Sequence, residues 1–330
     1  MRKLASIQKI KALDPIPDAD AIMRATVLGW ELVVKKDEFK EGELCVYCEI
    51  DSILPDKPEY EFLKPRGMRI RTIRLRGQIS QGICFPLSVL PEGTPIEEDL
   101  DVTDILGVIK YEPPIPAMLA GVMKSTFPSF IPKTDETRVQ VLQRVLDKYQ
   151  GEKCFVTEKL DGSSVTYYLR DEAFSVCSRN MELEPDDENT FWAVAKALNV
   201  EEKLKSFGRN IALQGELIGE GVQGNKYALK GQTARFFSIY DIDKSVYVSF
   251  NEFESILKNL DLPSVPILEA DYALSNDIHA LIEKSKMRST LNDKVWAEGI
   301  VIRPLEERHE RNVGRVSFKA INPEFLLKYE

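Results

Sequence analysis

Histidine is nearly absent from this chain of 330 residues: only His279 and His309 occur, far apart from each other and from the cysteines. That excludes a histidine-based zinc centre as an organising feature. The five cysteines, Cys45, Cys48, Cys84, Cys154 and Cys177, are odd in number and scattered, which does not suggest a disulfide framework and fits a reducing compartment. Cys45 and Cys48 form a C-x-x-C, but inside the strand-like run ELCVYCEI, where positions three apart face opposite ways, so they read as small core residues. No apolar run is long enough to span a bilayer, and Met1 to Pro15 is too charged for a secretory leader. The expectation is a cytoplasmic protein without membrane contact. Internal repeats and low-complexity tracts are missing too. With 43% hydrophobic and 29% charged residues the composition is that of a globular protein, and the length favours two domains.

Acidic residues are missing from one stretch only. The formal charge is −9, yet residues 1–90 carry 15 Lys/Arg against 13 Asp/Glu, and no acid occurs between Glu61 and Glu92. Lys64, Arg66, Arg69, Arg71, Arg74 and Arg76 fall in that window. Such a stripe is either a charge-protected edge strand or a phosphate contact, and its preference for arginine favours phosphate. Read as one strand, RIRTIRLR would place Arg69 and Arg71 on one face and Arg74 and Arg76 on the other.

From Lys3 to about Leu90 short alternating runs, SIQKIKAL, AIMRATVLGWELVV, ELCVYCEI, RIRTIRLR and GICFPLSV, are separated by turn signals. Five or six such strands predict a small barrel of the OB type. Residues 101–134 read as a linker, helix-capable around Val102 to Val108 and broken by Pro113, Pro114 and Pro116. A helix is predicted from Glu136 to Tyr149, with Asp135 as N-cap, Arg138 in its first turn and Val139, Leu142, Val145 and Leu146 on its buried face. Beyond Glu152, strands and helices alternate without a βαβ rhythm, which predicts a mainly antiparallel α+β domain with flanking helices.

The stretch FVTEKLDGSS, Phe155 to Ser164, places Glu158, Lys159 and Asp161 at the end of a buried-looking strand. A lysine amine held in apolar surroundings with a lowered pKa is a nucleophile toward phosphorus. Asp161, two residues on, is expected on the same strand face, with Gly162 permitting the exit. Glu216, in QGELIGEGVQGNKY, and Glu298, in AEGIVIRP, lie on further strands, and Lys319 sits in the apolar strand VSFKAIN. One amine, three carboxylates and a second cation suit metal-assisted attack on a nucleoside triphosphate.

The ordered series Lys159-Leu-Asp161-Gly162-Ser163, Ser178-Arg179-Asn180, Glu216-Leu-Ile-Gly219, FFSIYDI, Glu298-Gly299-Ile300-Val301 and Ser317-Phe318-Lys319 resembles the motifs of the covalent nucleotidyltransferases. With the front barrel, the QGNK loop and the FKAIN ending, the chain is similar to ATP-dependent RNA ligases of the Deinococcus and Naegleria type. The resemblance implies an OB-type domain over 1–100, a linker over 101–134 and a nucleotidyltransferase domain, an ATP-grasp-like ligase domain, over 135–330. Related enzymes carry a barrel behind the catalytic domain, but this sequence ends eleven residues after Lys319, so the pyrophosphate is expected to be oriented by Arg138 or the front barrel.

The resemblance further implies that Lys159 takes AMP from ATP, that Asp161, Glu216 and Glu298 gather Mg2+ or Mn2+, and that Lys319 holds the α-phosphate. Arg179 would contact the ribose or the 5′-phosphate, Glu158 would lie beside the adenine, and Phe237 and Val301 would sandwich it. Ile321 stands where some relatives have a second lysine, and Arg315 is the candidate substitute. The implied partner is RNA, as a nicked duplex or a broken strand, with no membrane or protein partner. A capping-type guanylyltransferase or DNA ligase, and a non-catalytic RNA-binding protein, are the alternatives.

Overall fold

The computed structural model describes residues 2–112, 122–311 and 313–329, and Pro113, Pro114 and Pro116 lie outside them. Contacts divide the chain into one unit of residues 1–114 with 323–330 and a second of residues 115–322. Among the described residues no helix is long and apolar enough to cross a membrane.

In the first unit the expected alternating runs become β1 (Ala5–Ile16), β2 (Ala19–Val27), β3 (Trp30–Lys35), β4 (Leu44–Cys48) and β5 (Ile83–Phe85). They form an antiparallel sheet in the order β3-β2-β1-β4-β5. The long β1 pairs with β4 through Ala5–Lys9 and with β2 through Ile10–Ile16, with a register shift between Ile10 and Ala12. A bulge there bends the strand so that it serves both halves of a coiled sheet. Trp30, Leu32, Ile7 and Ile10 fill the interior, and all five cysteines are buried free thiols. The basic stripe does not form one strand. A 3-10 segment, Pro58–Arg66, ends at left-handed Gly67, and only Ile73–Leu75 of RIRTIRLR is extended in a ladder. Arg69 is buried, 2.7 Å from Asp51 and stacked 3.7 Å over the ring of Tyr111. This arginine is therefore structural, whereas Arg66, Arg71, Arg74 and Arg76 are exposed, Arg74 in an ion pair with Glu324.

The second unit contains two larger sheets. Its strands are β6 (Met123–Thr126), β7 (Thr137–Arg138), β8 (Lys153–Lys159), β9 (Ser163–Arg170), β10 (Ala173–Cys177) and β11 (Met181–Leu183), then β12 (Ile211–Gly219), β13 (Gln232–Asp241), β14 (Val246–Tyr247), β15 (Ile267–Ala273), β16 (Gly299–Pro304) and β17 (Phe318–Ile321). The seven-stranded sheet runs β6-β11-β10-β9-β12-β13-β14 and the five-stranded one β7-β17-β16-β8-β15. Every pairing is antiparallel except β7 with β17. One core packs the larger sheet against helices Thr190–Ala197, Val200–Phe207 and Phe250–Asn259. Another packs β8, β16 and β17 against Gln143–Lys148 and Ile278–Ser285. Alternation makes β8 buried on both faces: Phe155 joins the first core, Cys154 and Val156 the second.

The helix expected over 136–149 is shorter and starts later. Thr137–Arg138 is extended beside Phe318–Lys319, a 3-10 turn covers Val139–Val141, and the α-helix spans only Gln143–Lys148. Asp135 is thus no N-cap and Arg138 is not helical. Tertiary contacts outweigh the local pattern here. Glu136 is held at 2.8 Å by Arg303, whose buried guanidinium also donates to Ser317 Oγ and the Phe237 carbonyl. Breaking a buried pair of this kind leaves an uncompensated charge, so segment 136–138 stays extended along β17. Val139, Leu142, Val145 and Leu146 are nonetheless buried, as the apolar spacing indicates.

Candidate active site

Lys159 is the last residue of β8, and the chain leaves the strand before Asp161. The two therefore do not share a strand face. Leu160 turns into an apolar cluster with Ile218, Tyr227 and Val265, and Asp161 is fixed from outside: its N–H donates to Tyr227 Oη at 2.6 Å and its carboxylate receives Lys226 Nζ at 2.5 Å. Gly162 follows because nothing larger fits. A Cβ there would lie 2.3 Å from the Leu217 carbonyl and 3.0 Å from Glu216 Cγ. This contact brings the Gly162 N–H to Glu216 Oε1, 3.0 Å away. Across β8, Gly299 sits opposite Lys159 and its Cβ would clash with the Ala320 carbonyl at 2.2 Å. That close approach sets Glu298 at the mouth of β16, where it accepts from Lys159 Nζ at 2.6 Å.

Five of the expected residues thus converge: Lys159, Asp161, Glu216 and Glu298 interact electrostatically, and Lys319 feels Lys159 and Glu298. Lys319 pairs across the sheet with Val301 and, on its other side, with Arg138. Burial and the neighbouring cations Lys159 and Arg138 push the Lys319 amine down to about 7. Burial also drives the Glu216 carboxyl up to about 8, with Glu298 and Asp161 adding to the rise against the pull of Lys159. For Lys159, burial alone would lower the amine, but Glu298, Glu216 and Asp161 together outweigh it and the net direction is upward. The lowered nucleophile expected from the sequence is therefore not a property of the amine with these acids bare.

Lys159 pairs with Glu298 and Lys226 with Asp161, whereas burial first, and the neighbouring Glu298 and Asp161 second, keep a proton on Glu216 near neutrality. An acid raised in the folded state from 4.5 to about 8 stabilises the fold fully below the lower value and loses that contribution as pH rises through the upper one. In urea titrations, the stability of the wild type relative to Glu216→Gln should accordingly fall between about pH 5 and about pH 8. Parallel curves for the two proteins would contradict this assignment.

Phe237 reaches the same region from the opposite sheet. Gln214 pairs with Ser238 and Gly215 with Phe236, so Phe237 is the extra residue of a bulge in β13. While Phe236 enters the core, Phe237 is turned toward Leu160, Ile218 and Tyr227. The guanidinium of Arg303, two residues beyond Val301 on the same face of β16, lies 5.5 Å from its ring. Arg179 is exposed and ion-paired with Asp135. Arg315, proposed as a substitute for a second lysine, is occupied by Glu307 and Ser238. Glu158, expected beside the adenine, adjoins Lys159 in the sequence. It points to the other face of β8 from Lys159, is buried, and accepts from Ser289 Oγ, Thr290 N–H and Thr290 Oγ1 at 2.5–2.9 Å.

Sequence reasoning missed Lys226 and Tyr227, which hold Asp161, and Ser289 and Thr290, which hold Glu158. The glycine-rich stretch after Glu216 was the available signal for the first two. Among the described residues no three ligand-type side chains lie close enough to grip a bare metal ion. The donors Asp161, Glu216 and Glu298 are all hard carboxyl oxygens, and this set fits a hydrated divalent cation, with water between ion and carboxylates.

Comparison with known proteins gives the family of the chain. Residues 4–87 match an OB-fold domain family and residues 152–321 match the RNA ligase family. No curated protein sequence matches the chain. Among solved structures, an aspartate-to-alanine mutant of Naegleria gruberi RNA ligase without ligand is 42% identical, with TM-score 0.90, covering 98% of this chain and 97% of that one. A glutamate-to-alanine mutant of the same ligase, solved with AMP and Mn, gives TM-score 0.91 at 42% identity over 98% of both chains. The same ligase with PPi gives TM-score 0.90 at 42% identity, covering 99% of this chain and 98% of that one. The first unit is accordingly an OB-type domain, placed ahead of the ligase fold.

Proposed function

Since this chain belongs to the RNA ligase family, we propose that it joins RNA ends in an ATP-dependent reaction through an AMP carried on Lys159. The Naegleria ligase, solved with ATP and Mn, supports ATP as the substrate here and Mn2+ or Mg2+ as the ion. The observation that carries the reading is the meeting of Lys159 with Glu298, Glu216, Asp161 and Lys319.

A divalent cation held through water by the three acids would cancel their charge and screen the phosphate oxygens. Burial is the largest single influence on Lys159 and it favours the neutral amine. Once the carboxylates are engaged elsewhere, nothing of equal weight keeps the proton on. The neutral Lys159 amine forms a bond to the α-phosphorus of ATP as the bond to pyrophosphate breaks. Lys319 meets the charge on the α-phosphate oxygens in the transition state. Arg138, its strand neighbour, is assigned to the leaving pyrophosphate, and Arg179 to the ribose or the 5′-phosphate. Phe237 and Val301 offer an aromatic and a branched face to the base. Glu158, which accepts from Ser289 and Thr290, is assigned to the adenine. AMP then passes to an RNA 5′-phosphate, and the 3′-hydroxyl displaces it to close the strand. In this proposal residues 135–330 perform the transfers, residues 1–100 grip RNA, and 101–134 link them.

Matched nicked duplexes test the substrate. A strand ending in a ribose 3′-hydroxyl should be sealed at least about a hundredfold faster than its deoxy counterpart. Equal sealing of all-RNA and all-DNA nicks would favour a DNA ligase, and transfer from GTP rather than ATP would favour a capping enzyme.

A further inference from the structure

The Lys226 amine lies 2.5 Å from Asp161 Oδ2, and both side chains are about one-fifth exposed. We propose that Lys226 is an internal counter-cation: it occupies Asp161 in the unloaded enzyme, competes with the divalent ion for that carboxylate, and is expelled when the ion enters. This rests on the metal-assisted reading above. Three observations single out this ion pair. The backbone around Lys226 is pinned, its carbonyl accepting from Asn292 Nδ2 at 3.0 Å and its neighbour Tyr227 buried against the Asp161 N–H. Asn292 in turn follows Ser289 and Thr290, which Glu158 holds. Motion is thereby confined to the lysine stem. The amine also has a second acceptor, the Gln223 carbonyl at 2.9 Å, so it keeps a hydrogen bond after leaving Asp161.

The pair also lies beside two further acids, Glu216 and Glu298, in a pocket where a divalent ion and an ammonium would repel one another. A resident lysine therefore weakens loading of the bare ion. Loading is favoured when a polyphosphate arrives with it and supplies charge for the displaced ammonium. Lys226 would thus be a positioning residue that couples ion and nucleotide binding.

The test measures Mn2+ binding to the nucleotide-free full chain by electron paramagnetic resonance. Lys226→Met should bind Mn2+ about tenfold or more tightly than wild type, and Lys226→Arg should bind as wild type does. A merely structural lysine gives the opposite sign, because its loss disorders Asp161. In the wild type, acetylation of Lys226 by an N-hydroxysuccinimide ester, read by peptide mass spectrometry, should rise on adding Mn2+. That readout stands even if Lys226→Met fails to fold. Unchanged or weaker Mn2+ binding in a folded Lys226→Met, or Lys226 labelling that Mn2+ leaves unchanged or lowers, overturns the proposal while AMP transfer to the wild type continues. A wild type that takes up no AMP overturns the ligase reading as well.

Discussion

Lys159→Ala is expected to abolish covalent AMP on the protein, with the adduct falling by at least about a thousandfold relative to wild type when ATP and Mn2+ are supplied. The reason is positional. Lys159 interacts with all three acids and with Lys319, at the end of a strand buried on both faces. Its amine donates to Glu298 at 2.6 Å. The variant should still fold, since Lys159 is half-buried at a strand end and its removal takes away a cation from a cluster in which Glu216 already holds a proton. It should also still seal a strand whose 5′ end already carries AMP, because that step does not use the lysine. Intact-mass measurement and sealing of a pre-adenylylated strand separate the two outcomes. Loss of both activities would mean that Lys159 is structural.

Lys319→Met should slow adenylylation by about a hundredfold to a thousandfold, with a much smaller change in the ATP concentration needed for half-maximal rate. Its amine is pushed down to about 7 by burial and by Lys159 and Arg138. A group poised in this way is partly neutral in the empty site and takes up a proton when phosphate oxygens arrive. Its interaction with the substrate therefore strengthens as negative charge accumulates, which is the condition for accelerating the chemical step. Single-turnover adduct formation across pH checks this. A variant within threefold of wild type would remove Lys319 from the chemistry.

The strands and their termini were legible because alternation and isolated charge are local signals. Lys159, Glu216, Glu298 and Lys319 each stood out as a charge in an apolar run, and the structure places them at strand ends or in strands, within electrostatic reach of one another. What local pattern could not reveal is partnership. Lys226 looks like an ordinary loop lysine until it is found on Asp161, 65 residues away in sequence. Glu158 adjoins the nucleophile in sequence, yet strand alternation sends it to the other face. The segment 136–149 has a helix-like spacing, but the ion pair of Glu136 with Arg303 and pairing along Lys319 hold its start extended. The arginine stripe was even in sequence and uneven in space, since Arg69 is consumed by Asp51 and Tyr111 whereas its neighbours stay exposed.

Two amines compete for the role of nucleophile. Lys319 is the one lowered to about 7 by its surroundings, and Lys159 is the one raised until its acids are engaged. Peptide mapping of wild-type protein after incubation with ATP and Mn2+ decides between them directly. The account predicts AMP on Lys159 and on no other lysine, with formation lost when the divalent ion is chelated. AMP found on Lys319 or Lys226, or on Lys159 without any divalent ion, would contradict it.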